Sequence, residues 1–401
     1  MIATILRAAS CLLASLLLVG CVSETVKSTA VPQVQTLGKE IPEEQLLDVG
    51  IVIFDPGIDA DSEDETLYPE VRRAEANYQP FLLAEAIQSS AAWGAVRVVP
   101  DAGQIMDLLV TGAIVNSHGE RLELHIVARD ARGQTWLERN YQGVASRYSY
   151  TMPNRAGLDP FQMVYNNIAN DLLQVLQKLD PEQLEEIRLV SELRFASSMS
   201  AEAFAGHLES DDKGKYRIQR LPAEDDPMLA RVHKIRERDE LFIDTLQDYY
   251  ASFNGQMSAP YQEWRKMSYE EAIALRELRQ ESLVKMVTGA GMVIAGIAAQ
   301  TGDSRATRAS GGVAVAGGAM VFKSGLEARN EAEMHVQALE ELGLSLEAEI
   351  APQVIELEDR SVTLTGNVQE QYRQWRKLLQ EIHAAELGSL ALPLEPQGED
   401  S

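Results

Sequence analysis

The sequence predicts an α+β protein: a small α/β domain with a mostly antiparallel sheet, a long helical-hairpin region, and a small β-hairpin plus helix. Three observations support this prediction. Short apolar runs closed by Gly, Pro, Asn or Asp, which are typical of strands, are concentrated in residues 49–141. Apolar residues at helical spacing then dominate residues 180–350. A strand, turn, strand pattern returns at 354–366, before a last helical stripe.

The first domain is predicted over residues 46–179. Val49 to Phe54 is a continuous apolar run too short for a helix, so it predicts a buried strand. Asp159-Pro160 predicts the start of a helix, because Asp caps helices and Pro suits the first turn. Between these two points the pattern predicts a helix near 80–92 and strands at 96–99, 108–115, 122–128 and 136–141.

Three segments of this domain resemble a known group of envelope domains. They are Trp93 to Pro100, Asp107 to Gly112 and Asp130 to Trp136. Together they resemble the small α/β domain of the curli-secretion lipoproteins, the penicillin-binding-protein activators and the amino-terminal domain of the Tol propeller protein. The resemblance covers residues 48–178 and implies docking to other envelope proteins. The resemblance assigns no functional residue to any position of this sequence.

The amino terminus has the order of a secretory signal peptide over residues 1–20. Arg7 supplies the positive charge and residues 11–19 an apolar run, well short of the roughly 20 residues that cross a bilayer. Leu18-Val19-Gly20-Cys21 resembles the lipobox of bacterial lipoproteins, which implies cleavage between Gly20 and Cys21 and acylation of Cys21. The alternative is an ordinary signal peptide with an incidental cysteine.

The lipobox resemblance implies a partner, a lipid bilayer, held through acylated Cys21. Two or more acyl chains anchor a protein stably, whereas a single chain binds only marginally. Val22 follows Cys21, whereas Asp at this position would resemble the inner-membrane retention signal of enterobacterial lipoproteins. We therefore expect the outer membrane, with the protein facing the periplasm. Residues 21–45 are polar and without periodicity, which predicts a flexible tether.

Charge and cysteine content narrow the functional classes. The chain contains 36 Lys and Arg against 61 Asp and Glu, and loss of Arg7 leaves the mature chain at −26. Such an acidic surface repels nucleic acid, so nucleic-acid binding is excluded, whereas basic proteins and cations stay possible partners. Of the two cysteines, Cys11 is lost with the signal peptide, so no disulfide forms within the mature chain.

Residues 180–350 are predicted to be helical and highly charged. Asp226-Pro227 starts one helix, and Ser268 with Glu271 has the spacing of a capping box that starts the next. That second helix is predicted to run from Tyr269 to Gln300, turn, and return over 311–340. An arm of about 32 residues would form a rod about 48 Å long. With the tether, this predicts a protein that reaches across the periplasm.

The tip of the predicted rod, residues 283–325, is apolar and rich in glycine. Nine of the 27 glycines fall between Gly289 and Gly325. Glycine weakens a helix by about 1 kcal/mol relative to alanine, so its repeated use predicts close packing of backbones. The candidate residues for oligomer or membrane contact are Gly289, Gly291, Ala295, Gly296, Ala299, Gly312, Ala316 and Gly317.

Three interpretations of this tip stay open: a tight soluble hairpin, a self-association surface and insertion into a bilayer. Length disfavours insertion, because 15 apolar residues give about 22 Å against a hydrocarbon core of roughly 30 Å. After the rod, residues 351–387 predict a β-hairpin plus helix, and residues 388–401, rich in Pro and Gly, predict a flexible tail.

The sequence contains no arrangement of residues that is typical of a catalytic, metal-binding or phosphate-binding site. An EF-hand count from Asp59 reaches Glu70 at its twelfth position, but its sixth position is Asp64 where a glycine is needed. The six histidines are scattered without a spaced partner, and the glycine-rich stretches lack the ending of a phosphate loop. We therefore expect a non-enzyme with no catalytic residue, no metal site and no cofactor.

The function expected from the sequence is that of a membrane-anchored adaptor or scaffold in cell-envelope assembly or maintenance. The alternative is an oligomeric export or pore-forming accessory lipoprotein, a homo-oligomer assembled through the glycine-rich hairpin. Hydrolysis of an envelope polymer stays a third class, because an acidic chain always offers pairs of carboxylates.

Overall fold

A computed structural model describes residues 25–28, 30–38, 41–58, 68–151, 158–223, 225–298, 353–356 and 361–388 of the chain. Its helices and strands confirm the α+β class. The strands are β1 (Thr25–Ser28), β2 (Val49–Val52), β3 (Val96–Val99), β4 (Leu108–His118), β5 (Arg121–Asp130), β6 (Thr135–Val144), β7 (Leu208–Ser210), β8 (Tyr216–Ile218), β9 (Gln353–Glu356) and β10 (Ser361–Leu364). The helices are α1 (Pro69–Gln88), α2 (Arg147–Thr151), α3 (Gln162–Leu176), α4 (Pro181–Met199), α5 (Pro227–Ala298) and α6 (Val368–Gly388).

A six-stranded sheet in the order β1-β6-β5-β4-β2-β3 forms the centre of the α/β domain. The meander β4-β5-β6 is antiparallel, whereas β1 pairs with β6, and β2 pairs with β3 and β4, in parallel. The sequence predicts a mostly antiparallel sheet. The observed sheet is more mixed, because the pairs β1-β6, β2-β3 and β2-β4 are parallel.

Strand alternation places the core as expected. On β5, Leu122, Leu124 and Ile126 are fully buried, while the residues between them are partly exposed. Helices α1 and α3 cover this face, and Phe161 and Leu172 lie in the same core. A second core joins α4, the first part of α5 and α6, where Trp375 stacks on Phe242 with ring centroids 4.9 Å apart.

Helix α1 begins earlier than predicted. The sequence predicts a start near Pro80, where a stretch with apolar residues on one side of a helix begins. In the structure α1 starts at Pro69, and Pro80 lies inside the helix. Tyr78, Gln79 and Leu83 around it are buried. Tertiary packing thus offsets the roughly 3 kcal/mol that an interior proline costs.

Helix α5 is a single helix of 72 residues, so the predicted boundary at Ser268 is wrong. Ser268 lies in the interior of α5, and its Oγ accepts a hydrogen bond from the backbone N–H of Gly119 at 3.1 Å. The capping pattern thus serves a contact with another segment. At 1.5 Å per residue α5 is about 108 Å long. The predicted return arm, residues 311–340, lies outside the described residues.

The segment predicted as a flexible tether is attached to the domain. Residues 25–28 form the edge strand β1, in register with β6 from Thr25↔Asn140 to Ser28↔Gly143. Farther along, the side chains of Asn166 and Asn170 donate to the carbonyls of Pro32 and Gln33 at 2.8 and 3.0 Å. These contacts use only backbone groups of the segment, so its polar side chains gave no signal of them.

The carboxy-terminal prediction is confirmed in the described residues: β9 and β10 pair antiparallel, and α6 follows. The hairpin β7-β8 and the short helix α2 were not predicted. The signal peptide, Cys21, the acidic loop at 59–65 and most of the predicted tail, residues 389–401, lie outside the described residues.

The turn between β4 and β5 meets α5 at Gly119. A Cβ built on Gly119 would lie 2.0 Å from the carbonyl oxygen of Arg265 and 2.2 Å from the nitrogen of Tyr269. Both are backbone atoms, so neither can move away alone. Glycine is therefore required for the turn and the helix to approach this closely.

We expect Gly119→Ala to lower the free energy of unfolding by about 1–3 kcal/mol, because the added methyl forces the turn and α5 apart. Chemical denaturation of the mature chain with Cys21→Ser would measure it. Gly255→Ala is the matched control, since Gly255 lies on α5 and a Cβ there meets nothing within 4 Å. The control should match or exceed the parent, because alanine favours a helix. Equal stability of Gly119→Ala and parent would contradict the expectation.

Candidate functional site

The residues predicted for contact fall partly within the described chain. Gly289, Gly291, Ala295 and Gly296 belong to the last turns of α5, so they lie on one continuous helix. Because Gly291 and Ala295 are four residues apart, they share a face of that helix. Gly20, Cys21, Ala299, Gly312, Ala316 and Gly317 lie outside the described residues. What the structure adds is how the α/β domain positions α5.

A buried ion pair attaches α5 to the α/β domain. Nη1 of Arg265 lies 2.9 Å from each carboxylate oxygen of Asp159, just before α3. The guanidinium carbon lies 4.1 Å from the ring centroid of Tyr261 and 4.7 Å from that of Phe161. Arg265 is fully buried. The cation is thus neutralised by Asp159 and enclosed by two aromatic faces, an arrangement that favours arginine.

Asp159 does two tasks in this contact. Its Oδ1 also accepts a hydrogen bond from the backbone N–H of Phe161 at 2.8 Å, at the entry to α3. The sequence predicts Asp159 as the cap of this helix, but the N-cap residue is Phe161, so Asp159 stabilises the turn before α3 and also forms the ion pair. The same carboxylate therefore orders the start of α3 and fixes α5.

A second buried carboxylate joins α1, β4 and α5. Glu75 is fully buried and accepts hydrogen bonds from the hydroxyls of Ser117 and Tyr261. Arg72, one turn earlier on α1, lies 3.9 Å from Glu75 and donates to the carbonyl of Ile114. Burial raises the pKa of Tyr261 well above its usual range, so its hydroxyl keeps the proton that it donates. We call Glu75, Asp159, Tyr261 and Arg265 the α5 clamp.

Nearer its start, α5 covers the open edge of β3. The side-chain amide of Gln247 accepts from the N–H of Val98 and donates to its C=O, both at 2.9 Å. Arg97 pairs with Asp244 at 2.6 Å. Gln247 therefore takes the place of a neighbouring strand at an edge that could otherwise pair with another chain.

An acidic cleft of about 550 Å³ opens at the amino ends of β2 and β4, between α4 and α5. Seven carboxylates line it, with two arginines and one histidine. The lining residues are Glu44, Asp48, Asp107, Glu185, Arg188, Leu189, Glu192, His233, Arg236, Glu237 and Glu240.

Protein groups already engage both arginines of the cleft. Arg236 donates to Ser191 at 3.1 Å and to Glu240 at 3.2 Å, and lies 3.9 Å from Asp107. Arg188 donates to the carbonyl of Glu43 at 2.6 Å. Burial raises the pKa of Asp107 above 3.8, and the charge of Arg236 offsets this only in part. The surplus of carboxylates gives the cleft a negative potential that attracts cations and basic groups.

The described part of the chain contains neither a cluster of candidate metal ligands nor a helix that could span a membrane. No group of three or more His, Cys, Asp or Glu side chains there is arranged to hold a metal ion. No helix there is both long and apolar enough to cross a membrane.

Sequence reasoning missed the α5 clamp and the acidic cleft. Arg265 lies in the region 180–350, which the sequence predicts to be helical and highly charged, and an arginine in such a region is expected to be exposed to solvent. Its partner Asp159 is 106 positions away. The local sequence contains one indication of burial. Tyr261 and Trp264 lie beside Arg265 at helical spacing, and these two aromatic residues indicate a buried face of the helix.

Comparisons with known proteins assign no family. No protein-family model matches the chain, and no curated protein matches it. Among solved structures, the dodecamer of a single-residue variant of PelC from Paraburkholderia phytofirmans is similar, with 12% sequence identity and a TM-score of 0.20. The match covers 36% of this chain and 94% of that one. At this TM-score the similarity bears on neither fold nor function.

The raised pKa of Asp107 predicts a pH dependence of stability. Folding favours the protonated carboxyl, so its contribution is fully present below about pH 3.8 and is lost as pH rises through the raised pKa. Asp107→Asn removes this titration. We expect the melting temperature of the parent to rise relative to that of Asp107→Asn as pH falls from neutral toward about pH 4. Thermal unfolding of both proteins across this range would measure it, and a constant difference would contradict it.

Proposed function

We propose that the mature chain is a lipoprotein anchored through acylated Cys21 to the periplasmic side of the cell outer membrane. There it acts as a non-catalytic adaptor or scaffold in cell-envelope assembly or maintenance. Its partners are the bilayer and other envelope proteins. The proposal assigns no catalytic residue, metal or cofactor.

The length and fixation of α5 carry this proposal. A helix of 72 residues exceeds what a small domain needs for its own core. The α5 clamp and the contacts of Gln247 hold it to the sheet at two separate places. Its last turns, with Gly289, Gly291 and Gly296, are therefore presented at a defined distance from the domain. Such a geometry suits a protein that places a contact segment for a partner.

Photo-crosslinking in cells tests the adaptor. A photoreactive residue at Val293, among the glycines of α5, should give covalent adducts with other envelope proteins, identified by mass spectrometry. The same residue at Asp248, an exposed position of α5 beside the sheet, is the matched control and should give few adducts. An absence of adducts at Val293, with normal protein levels, would count against an adaptor that works through this segment.

The alternative function is an oligomeric export or pore-forming accessory. The continuous helix favours it, because the spacing of Gly291 and Ala295 allows two helices to approach closely. If it holds, light scattering of the Cys21→Ser chain should show a discrete oligomer that is lost in Gly291→Leu. Gly255→Leu adds the same side chain to open space on α5 and should leave the oligomer intact. A parent that is monomeric throughout would rule this alternative out.

A further inference from the structure

A buried histidine, His207, lies at the base of the hairpin β7-β8, in the connection between α4 and α5. Only 5% of the residue is exposed. Its Nδ1 lies 2.8 Å from the carbonyl oxygen of Arg220, and its Nε2 lies 3.2 Å from Nη2 of the same arginine. The backbone carbonyl of His207 also accepts from the N–H of Gln219 at 2.8 Å. One residue therefore joins the two ends of the hairpin.

The two contacts of the ring fix its protonation state. A carbonyl oxygen only accepts hydrogen bonds, so Nδ1 of His207 carries a hydrogen and donates it to the carbonyl of Arg220. A guanidinium group only donates, so Nε2 carries no hydrogen and accepts from Nη2. Both conditions hold together only in the neutral imidazole that has its hydrogen on Nδ1.

A second proton on His207 is incompatible with this arrangement. It would place an N–H of the ring opposite an N–H of Arg220 and bring two positive charges into contact. If the guanidinium moved away, the buried imidazolium would keep a donor without a partner, which is costly in a site without water. Protonation therefore favours a conformation in which the base of the hairpin is open to water.

The charged groups around the hairpin do not neutralise an imidazolium at this position. Among the described residues, no carboxylate is bonded to the ring of His207, and the aromatic ring of Phe204 lies 5.8 Å from it between centroids. Four charged side chains of the hairpin and of α4 contact Gln219, backbone N–H groups, Gln134 and the ring of Tyr216: these are Glu209, Asp211, Lys215 and Arg194. The remaining charged side chains of the hairpin are exposed to solvent: Asp212, Lys213 and Arg217.

The hairpin connects the two helices of the acidic cleft to the sheet. The N–H of Tyr216 donates to the carbonyl of Arg132, in the turn between β5 and β6, at 2.9 Å. In the same turn, a Cβ built on Gly133 would lie 2.2 Å from the carbonyl oxygen of Gly214. Helices α4 and α5, which the hairpin joins, both line the acidic cleft. Opening at His207 would therefore loosen the connection between two walls of the cleft.

We propose that His207 and Arg220 form a pH-sensitive latch. Neutral His207 holds the base of β7-β8 closed, and protonation of His207 opens it. Because the open hairpin binds one proton more than the closed one, a fall in pH shifts the equilibrium toward the open form. Histidine side chains change charge between about pH 5 and about pH 8, so the latch works in that range. The proposal is independent of the acylation of Cys21.

Hydrogen exchange tests the latch in the mature chain with Cys21→Ser. Exchange over residues 207–220 is measured by mass spectrometry in the parent and in His207→Gln, at about pH 7.5 and at about pH 5. Comparison at equal pH cancels the intrinsic pH dependence of exchange. Glutamine can accept from Arg220 and donate to its carbonyl, but it does not titrate. Protection of the parent relative to His207→Gln should fall several-fold at the lower pH, and an unchanged ratio would overturn the latch.

Two further variants separate the role of Arg220 from that of other histidines. Arg220→Met removes the guanidinium and leaves His207 in place, so most of the acid effect should disappear. If His207→Gln fails to fold, the parent and Arg220→Met supply the same comparison. His125→Gln is the control, since His125 lies on β5 and its Nδ1 contacts Oδ1 of Asn140 at 2.7 Å, away from the hairpin. This control should behave as the parent, and a full acid effect in Arg220→Met would overturn the proposal.

Nitrogen NMR of labelled histidine gives an independent measurement, because it distinguishes the two neutral tautomers. At about pH 7.5 the ring of His207 should carry its hydrogen on Nδ1. As the pH falls, protonation of His207 should coincide with the loss of protection of the hairpin. A hydrogen on Nε2 at neutral pH, or protonation of His207 without a change in hairpin exchange, would contradict the latch.

Discussion

The buried ion pair between Arg265 and Asp159 is the contact on which the rest of the structure depends. It fixes a helix of 72 residues to a small α/β domain at the point where Gly119 allows the two backbones to meet. A buried cation without its counter-ion is strongly destabilising, so the pair ties the position of α5 to the start of α3. The direction of the carboxyl half of α5 is therefore set by a few residues of the α/β domain.

Segments without a strand-like pattern lie at both edges of the sheet. At one edge, residues 25–28 form β1, which pairs with β6. At the other, the side chain of Gln247 supplies one donor and one acceptor to Val98 of β3. These two contacts attach residues 25–28 and α5 to the same sheet. They also bring a polar amino-terminal segment and α5 into a fixed geometry.

Carboxylates occur in two settings in this protein: some are buried in the fold, and others line the acidic cleft. Buried carboxylates such as Glu75 and Asp159 are bound by hydroxyl, amide or guanidinium groups, so they act in architecture. The acidic cleft differs, because its arginines are already engaged and its carboxylates stay in excess. The cleft where α4 and α5 meet the amino ends of β2 and β4 therefore has a negative potential, which disfavours anionic partners.

The sequence by itself determined the local elements: the strands β2 to β6, the stripe of α3, and the carboxy-terminal hairpin with α6. It did so because side-chain alternation and helical spacing are written in neighbouring residues. Tertiary structure alone decided that α1 passes through Pro80, that α5 passes through Ser268, and that residues 25–28 become β1. It also decided that Arg265 meets Asp159. These outcomes depend on backbone pairing and on contacts between residues more than 100 positions apart, which leave no periodic trace in the chain.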